Sequence, residues 1–298
     1  MSWYPVFFYM LTFGAACLFA YGAYRVIKDR VFLALVVLFS LLTFLPLLLI
    51  IFHIVRNGIA VVDWQFLTHL PRPVGEVGGG IANAMVGTLM LIVIASVMAI
   101  PLGVCAGVYL TERKTGTVCY LVRLCVEVLH GVPSIVIGII AYVWVVMALG
   151  TFSALAGGIA LAIMMLPVIV RSTEETLRLI PDTLREASLS LGVPYGRTVL
   201  KVVMPAGISG IATGVLISVA RVGGETAPLL FTAFGSPYME VNVLKPVNSL
   251  PLMIFNYATS PYPEWHALAW GASFVLVAFV LLLNLSAKFL TRKWKVQF

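Results

Sequence analysis

Two arginines and a glutamate stand in stretches otherwise too apolar to hold charge. Arg221 and Glu225 close an apolar run that begins at Ile211, and Arg171 follows Val168-Ile169-Val170. A charge at the bilayer centre costs about 2.5–3.5 kcal/mol on insertion scales, so such groups line water-filled paths or pair with each other. Spacing i, i+4 puts the Arg221 guanidinium and the Glu225 carboxylate on one helix face, within reach of each other. A buried structural ion pair would use the same spacing. Arg171 has two readings: an anchor that snorkels to the interface, or a donor facing a central path. The planar fork of arginine binds phosphate-like oxyanions bidentately, and two such forks from different helices would make an anion site. No other catalytic constellation is present. The four histidines are scattered, the cysteines (Cys17, Cys105, Cys119, Cys125) form no CxxC, and no metal or cofactor pattern or G-x-x-x-x-G-K-[ST] phosphate loop occurs.

The elements that must position these groups follow from composition. Of 298 residues, 61% are apolar and 10% charged, and mean hydropathy is +1.05. Soluble domains run near 45–50% apolar and about 25% charged. No soluble core could hide this surface, so the chain is all-α, polytopic and membrane-embedded, which excludes a soluble enzyme or a nucleic-acid module. Stretches of about 20 apolar residues predict spans over 6–24, 31–55, 82–110, 132–149, 152–170, 206–234 and 267–289. The first span, with a basic turn at 25–30, makes 1–30 an extra N-terminal segment. Proline-rich loops over 56–80 and 235–265 are expected on the outer face.

Basic residues orient the spans. Three fall in 25–30, three in 112–130, five in 171–205 and four from Lys288 to the C-terminus, against Arg56, Arg72 and Lys245 on the other side. That bias places the 171–205 loop and the C-terminus in the cytoplasm. It also accounts for the net charge of +7 without nucleic acid. Between 117 and 130, Arg123, Glu127 and His130 share one face of an elbow helix along the inner membrane surface.

The loop over 181–205 reads as helix, glycine turn, helix. Pro181 and Asp182 start the first helix; Leu184, Ala187, Ser188 and Leu191 share a face; Gly192 supplies a left-handed stop and Pro194 prevents continuation. A second short helix, 195–204, stops at Pro205. Such a protrusion fits a groove on a soluble partner.

Glu186-Ala187-Ser188, then Gly192, then Val202-Val203-Met204-Pro205 resembles the E-A-A loop of ABC-importer permeases. In that family the loop docks on the ATPase subunit, which implies a coupling role for Glu186, Ala187, Ser188 and Gly192. The segment Arg221-Val222-Gly223-Gly224-Glu225-Thr226-Ala227-Pro228-Leu229-Leu230-Phe231-Thr232-Ala233 is similar to that of the PstA-type permease subunit of phosphate-specific importers. So are Pro133–Gly138, Pro167–Glu174 and Gly78–Ala84.

The resemblance covers 31–298. It implies a six-helix, type I permease domain there, and Arg171, Arg221 and Glu225 as translocation residues. It further implies a non-enzymatic subunit of the cell (inner) membrane that forms half a pathway for inorganic phosphate and has no cofactor. Its expected partners are a second permease (PstC type), a cytoplasmic ATP-binding subunit (PstB type, two copies), an outer phosphate-binding protein (PstS type) and the lipid bilayer. A permease for sulfate, molybdate or phosphonate is the alternative, with a self-contained secondary transporter behind it. For topology, a cysteine at Ser2 should label from outside with a membrane-impermeant thiol reagent and one at Thr115 should not; labelling in right-side-out vesicles checks this.

Overall fold

The computed structural model describes residues 4–293 apart from 74, 77 and 114, with the backbone alone for 4–27, 287 and 290–293. Among the described residues every regular element is a helix. The one β-bridge among the described residues joins Phe234 to Val247. The first helix, α1, runs unbroken over Tyr4–Gly58. Two spans with a turn at 25–30 were expected; instead Arg25-Val26-Ile27-Lys28-Asp29-Arg30 continues the helix. The segment carries charge but no glycine or proline, and charge alone does not break a helix. The side chains of the expected 6–24 span lie outside the described residues, as do Lys114, Arg292, Lys293 and Lys295. Lys28–Gly58 is apolar on all sides, with mean hydropathy 3.0, the pattern of a helix surrounded by lipid.

From Arg56 onward the chain forms a second compact unit. A short helix α2 (Trp64–Thr68), capped by Asp63, leads to α3 (Ala82–Glu112). An elbow helix α4 (Thr117–Gly131) then bends by 107° into α5 (Ser134–Leu149). The bend falls at Val132-Pro133, where the proline holds the preceding residue extended. Next come α6 (Ala154–Arg178) and the short loop helix α7 (Asp182–Ser190). They are followed by α8 (Tyr195–Val222), a turn of helix α9 (Ala227–Leu230), α10 (Leu250–Ala258) and α11 (Pro263–Lys293). Among the described residues, five helices are long and apolar enough to cross a membrane, and the α4–α5 pair makes a sixth if counted as one broken span.

Three further boundaries differ from the sequence expectation. The expected 206–234 span ends at Val222, because Gly223-Gly224 turn the chain and Pro228 starts a separate helix. Pro205 does not stop the helix before it. A π-helical stretch, Val199–Val203, widens the backbone just ahead of Pro205 and takes up its missing N–H, so α8 runs through. The outer 235–265 segment is not wholly irregular: Pro251 sits in the first turn of α10 under a Ser249 cap.

Helix α6 is the centre. Of its most apolar window 67% is buried, against 28% for α3 and α8. It runs parallel to α3: Gly103 faces Ile169, Gly107 faces Thr173, and Gly157 faces Leu91. It runs antiparallel to α8: Gly207 faces Leu177, Gly214 faces Ser172, and Ser218 donates a hydrogen bond to the Met165 carbonyl at 3.4 Å. Lipid offers no hydrophobic force between helices, so small residues that let backbones approach must supply van der Waals contact instead. Leu91, Ala95, Ala99, Leu161, Met165, Ile169 and Val222 fill the core between them. These directions bring Arg113, Arg123, Arg178 and Arg185 to one end of the bundle. The Lys245 carbonyl, which accepts from Ala154 N at 3.0 Å, lies at the other.

A Cβ on Gly107 would meet Thr173 Cβ at 2.5 Å and the Val170 carbonyl oxygen at 2.8 Å. Gly107→Val should therefore destabilise the purified chain by about 1–3 kcal/mol through overpacking. Gly131→Ala, where the added atom meets nothing within 4 Å, should not. Thermal unfolding in detergent compares the two.

Candidate functional site

The 181–205 segment folds locally as its residues dictate. The Pro181 carbonyl accepts from Leu184 N at 3.2 Å and opens α7. At its far end Gly192 takes φ +77°, Gly192 N donates to the Leu189 carbonyl at 2.9 Å and Val193 N to the Ser188 carbonyl at 3.4 Å. That pair of bonds is a complete Schellman stop. Pro194 then begins the second helix. Ser188 is 7% exposed and shares a 2.9 Å hydroxyl–hydroxyl hydrogen bond with buried Thr198 across the turn.

The four residues singled out in this loop divide by face. Glu186 and Ala187 are exposed, Gly192 has open space around it, and Ser188 faces the body. The expected common face of Leu184, Ala187, Ser188 and Leu191 is split. Leu184 packs beside the cluster of Leu177, Ile180, Val203 and Ile211, while Leu191 is 84% exposed. The outward side of α7 is therefore Glu186, Ala187 and an unpartnered leucine at the tip, presented by an inward side that is fixed.

Arg171 lies two turns before the end of α6, because that helix extends eight residues past the expected boundary. Its Nε donates to Glu175 Oε1 at 2.6 Å. It lines a cleft of about 290 Å³ with Arg123, Glu127, His130 and Glu174, so the three residues read as one face of the elbow helix do share a surface. Arg221 occupies the last turn of α8, half exposed, and its Nε stands 3.9 Å from Glu225 Oε1. The two are near enough for Coulomb attraction but too far for a hydrogen bond. Glu225 is beyond the helix end, reached through turn bonds from Gly224 N to the Arg221 carbonyl and from Glu225 N to the Val222 carbonyl. A shared helix face, as expected from the spacing, is thus replaced by a turn that returns the carboxylate toward the guanidinium.

The two arginines stand on neighbouring antiparallel helices, about 10 Å apart along the axes by the register of Ser172 with Gly214 and Met165 with Ser218. Arg171 lines the inner cleft and Arg221 does not. Within this chain they form two separate cationic positions rather than one pocket.

The structure adds charged residues that spacing did not reveal. Glu174, 2% exposed, accepts from Arg123 Nε at 3.0 Å and from Arg178 Nη2 at 2.5 Å, while Arg123 Nη2 also reaches the Leu110 carbonyl at 3.1 Å. The carboxylate pins the elbow helix to α6. Glu112, the last residue of α3, pairs with Arg185 of α7 at 3.1 Å and accepts the Tyr195 hydroxyl hydrogen bond. The i, i+4 relation of Glu174 to Arg178 was the one local signal; the other partners lie more than fifty residues away.

Comparison with known proteins places this arrangement. The phosphate transport system permease protein PstA of Yersinia pestis is 39% identical over 92% of this chain and 93% of its own length. The PstA of Xylella fastidiosa is 41% identical over 82% and 85%, and PstA 1 of Mycobacterium tuberculosis 40% identical over 82% and 80%. Among solved structures, an inward-facing MetNI methionine ABC transporter chain superposes with TM-score 0.58 at 21% identity, covering 72% of this chain and 94% of that one. That likeness concerns the fold alone. The family model described as "binding-protein-dependent transport system inner membrane component" matches residues 99–296, and the chain belongs to that family.

Proposed function

We propose that this chain is one of two permease subunits of an ATP-driven importer of inorganic phosphate, and that it hydrolyses no ATP itself. The observation that carries the reading is the inner-end helix α7, whose body side is anchored while Glu186, Ala187 and Leu191 face outward. That is the form of a plug for a cleft on a soluble ATPase. The substrate assignment is supported by the relatives named as phosphate permeases and by the two arginines, whose forks suit a tetrahedral oxyanion. In this reading the basic end of the bundle faces the cytoplasm, in accord with the positive-inside bias. A homologous permease completes the pathway across from Arg171 and Arg221, and an outer binding protein delivers phosphate to the face formed by 56–80 and 235–249.

Arg221 and Glu225 then act as a loosely held pair. At 3.9 Å the carboxylate offsets the positive charge without occupying the guanidinium's donors. An entering phosphate takes the fork and leaves Glu225 to the solvent of the pathway. The turn at Gly223-Gly224 allows the carboxylate to swing without unwinding α8.

Two outcomes follow. Glu186→Lys, or Gly192→Val, which places a β-branched residue at φ +77°, should abolish co-purification of the ATPase subunit while the chain stays inserted; pull-down with the ATP-binding partner and membrane quantitation read both. Arg221→Gln should lower labelled-phosphate uptake per assembled complex by roughly a hundredfold or more, as loss of a buried charge-assisted contact of about 3 kcal/mol implies, and Arg221→Lys should recover little because the fork is lost. Uptake of sulfate or molybdate in place of phosphate by the wild-type complex would reassign the substrate.

A further inference from the structure

The way α7 is fastened to the body carries a second conclusion, which rests on α7 being the docking helix. Glu112 at the end of α3 pairs with Arg185, whose Nη2 stands 3.1 Å from Oε1 as an ion-pair contact without a hydrogen bond and whose Nη1 donates to Oε2 at 3.5 Å, and it also accepts the Tyr195 hydroxyl. One carboxylate therefore joins the end of α3, the docking helix and the start of α8. The pair is shielded: the Glu112 and Arg185 side chains are 10% and 13% exposed. Removing two charges from water is expensive and gains little stability over an apolar contact of the same shape. What the pair provides is proximity, because opposite charges shielded from water attract strongly at this distance and hold the two ends together.

A cavity of about 500 Å³, bordered by Thr111 at the end of α3, the end of α6 with the turn after it (177–181), and Asp182 and Arg185 of α7, opens beside the pair. Two further contacts fasten α7 to the body. Leu184 packs on the cluster of Leu177, Ile180, Val203 and Ile211, which Val104 and Val108 of α3 also pack against, and Ser188 binds Thr198. The carboxylate adds a polar tie at the end of α3 to this apolar zone. We infer that Glu112, with Arg185 and Tyr195, is a positioning clamp that makes α3 follow the docking helix, so that displacement imposed on α7 by the ATPase enters the bundle through α3. From there it passes to α6, which carries Arg171, along the seam at Gly103 and Gly107. Without the clamp, α7 would still dock but the end of α3 would follow it less closely.

The experiment uses the whole importer reconstituted in proteoliposomes and measures phosphate transported per ATP hydrolysed. Glu112→Gln and Arg185→Gln should assemble with the ATPase, since Glu186, Ala187 and Leu191 are untouched, yet the ratio should fall by roughly twofold to thirtyfold, the span expected of coupling residues. The exchange Glu112→Arg with Arg185→Glu should restore much of it. A wild-type ratio in either single variant overturns the clamp. So does a lower yield of complex whose surviving fraction keeps the wild-type ratio, the mark of a purely structural pair. If Glu112→Gln does not assemble, Tyr195→Phe, which keeps the ion pair and loses one hydroxyl, decides: a reduced ratio supports the clamp and an unchanged one overturns it. Failure of the docking reading itself shows separately, as undiminished co-purification of the ATPase with Glu186→Lys.

Discussion

In a medium as apolar as its own side chains, a helix bundle coheres only where backbones can come close. Here that condition is met along α6. Gly103 and Gly107 on one neighbour and Gly207, Gly210 and Gly214 on the other bring both helices to within contact of Ile169, Thr173, Leu177, Thr176 and Ser172. Everything functional in the unit is referred to this central helix. Arg171 stands on it, Arg221 on the helix packed antiparallel to it, the elbow is tied to it by Glu174, and α7 follows directly from its end. Three helices in van der Waals contact behave as one rigid layer, which is what fixes the spacing of the two cationic positions.

The charges are distributed in the opposite sense, at the margins of that layer. Glu174 and Glu112 are both carboxylates at the basic end of the bundle, and each gathers partners from separate elements: Arg123 and Arg178 for one, Arg185 and Tyr195 for the other. The apolar seam holds the spans together, and the polar clamps hold the interfacial helices to the spans. Arg221 with Glu225 is built differently. Its 3.9 Å separation and half-exposed guanidinium make it the loosest of the ion pairs on the spans, in keeping with a group that exchanges partners.

What the sequence discloses here is what is local. The helix–turn–helix over 181–205 was legible because Asp182, Gly192 and Pro194 lie within fourteen positions and each has one conformational meaning. Arg171, Arg221 and Glu225 were legible because charge in an apolar run is costly enough to need a reason. The misplacements have equally local causes. Six charged and β-branched residues at 25–30 resembled a turn but lack a breaker, Gly223-Gly224 resembled a bend but ends the helix, and Pro205 resembled a stop but is accommodated. Glu112 with Arg185 and Glu174 with Arg123 could not be paired from the sequence, since their separations of 73 and 51 residues are closed only by the parallel packing of α3 on α6.

The π-helical stretch at Val199–Val203 has a geometric effect beyond housing Pro205. Each residue of an α-helix advances about 100° around its axis, and a π-turn fits one additional residue into the same stretch of axis. Below it, Thr198 is turned in to meet Ser188 under α7; above it, Arg221 is turned out at the far end of the same rod. The wide turns therefore act as a phase shifter between the two ends. They set the azimuth at which the distant guanidinium leaves α8 relative to the face that meets α7, so the count of residues between 198 and 204, more than their identity, decides where the cation points.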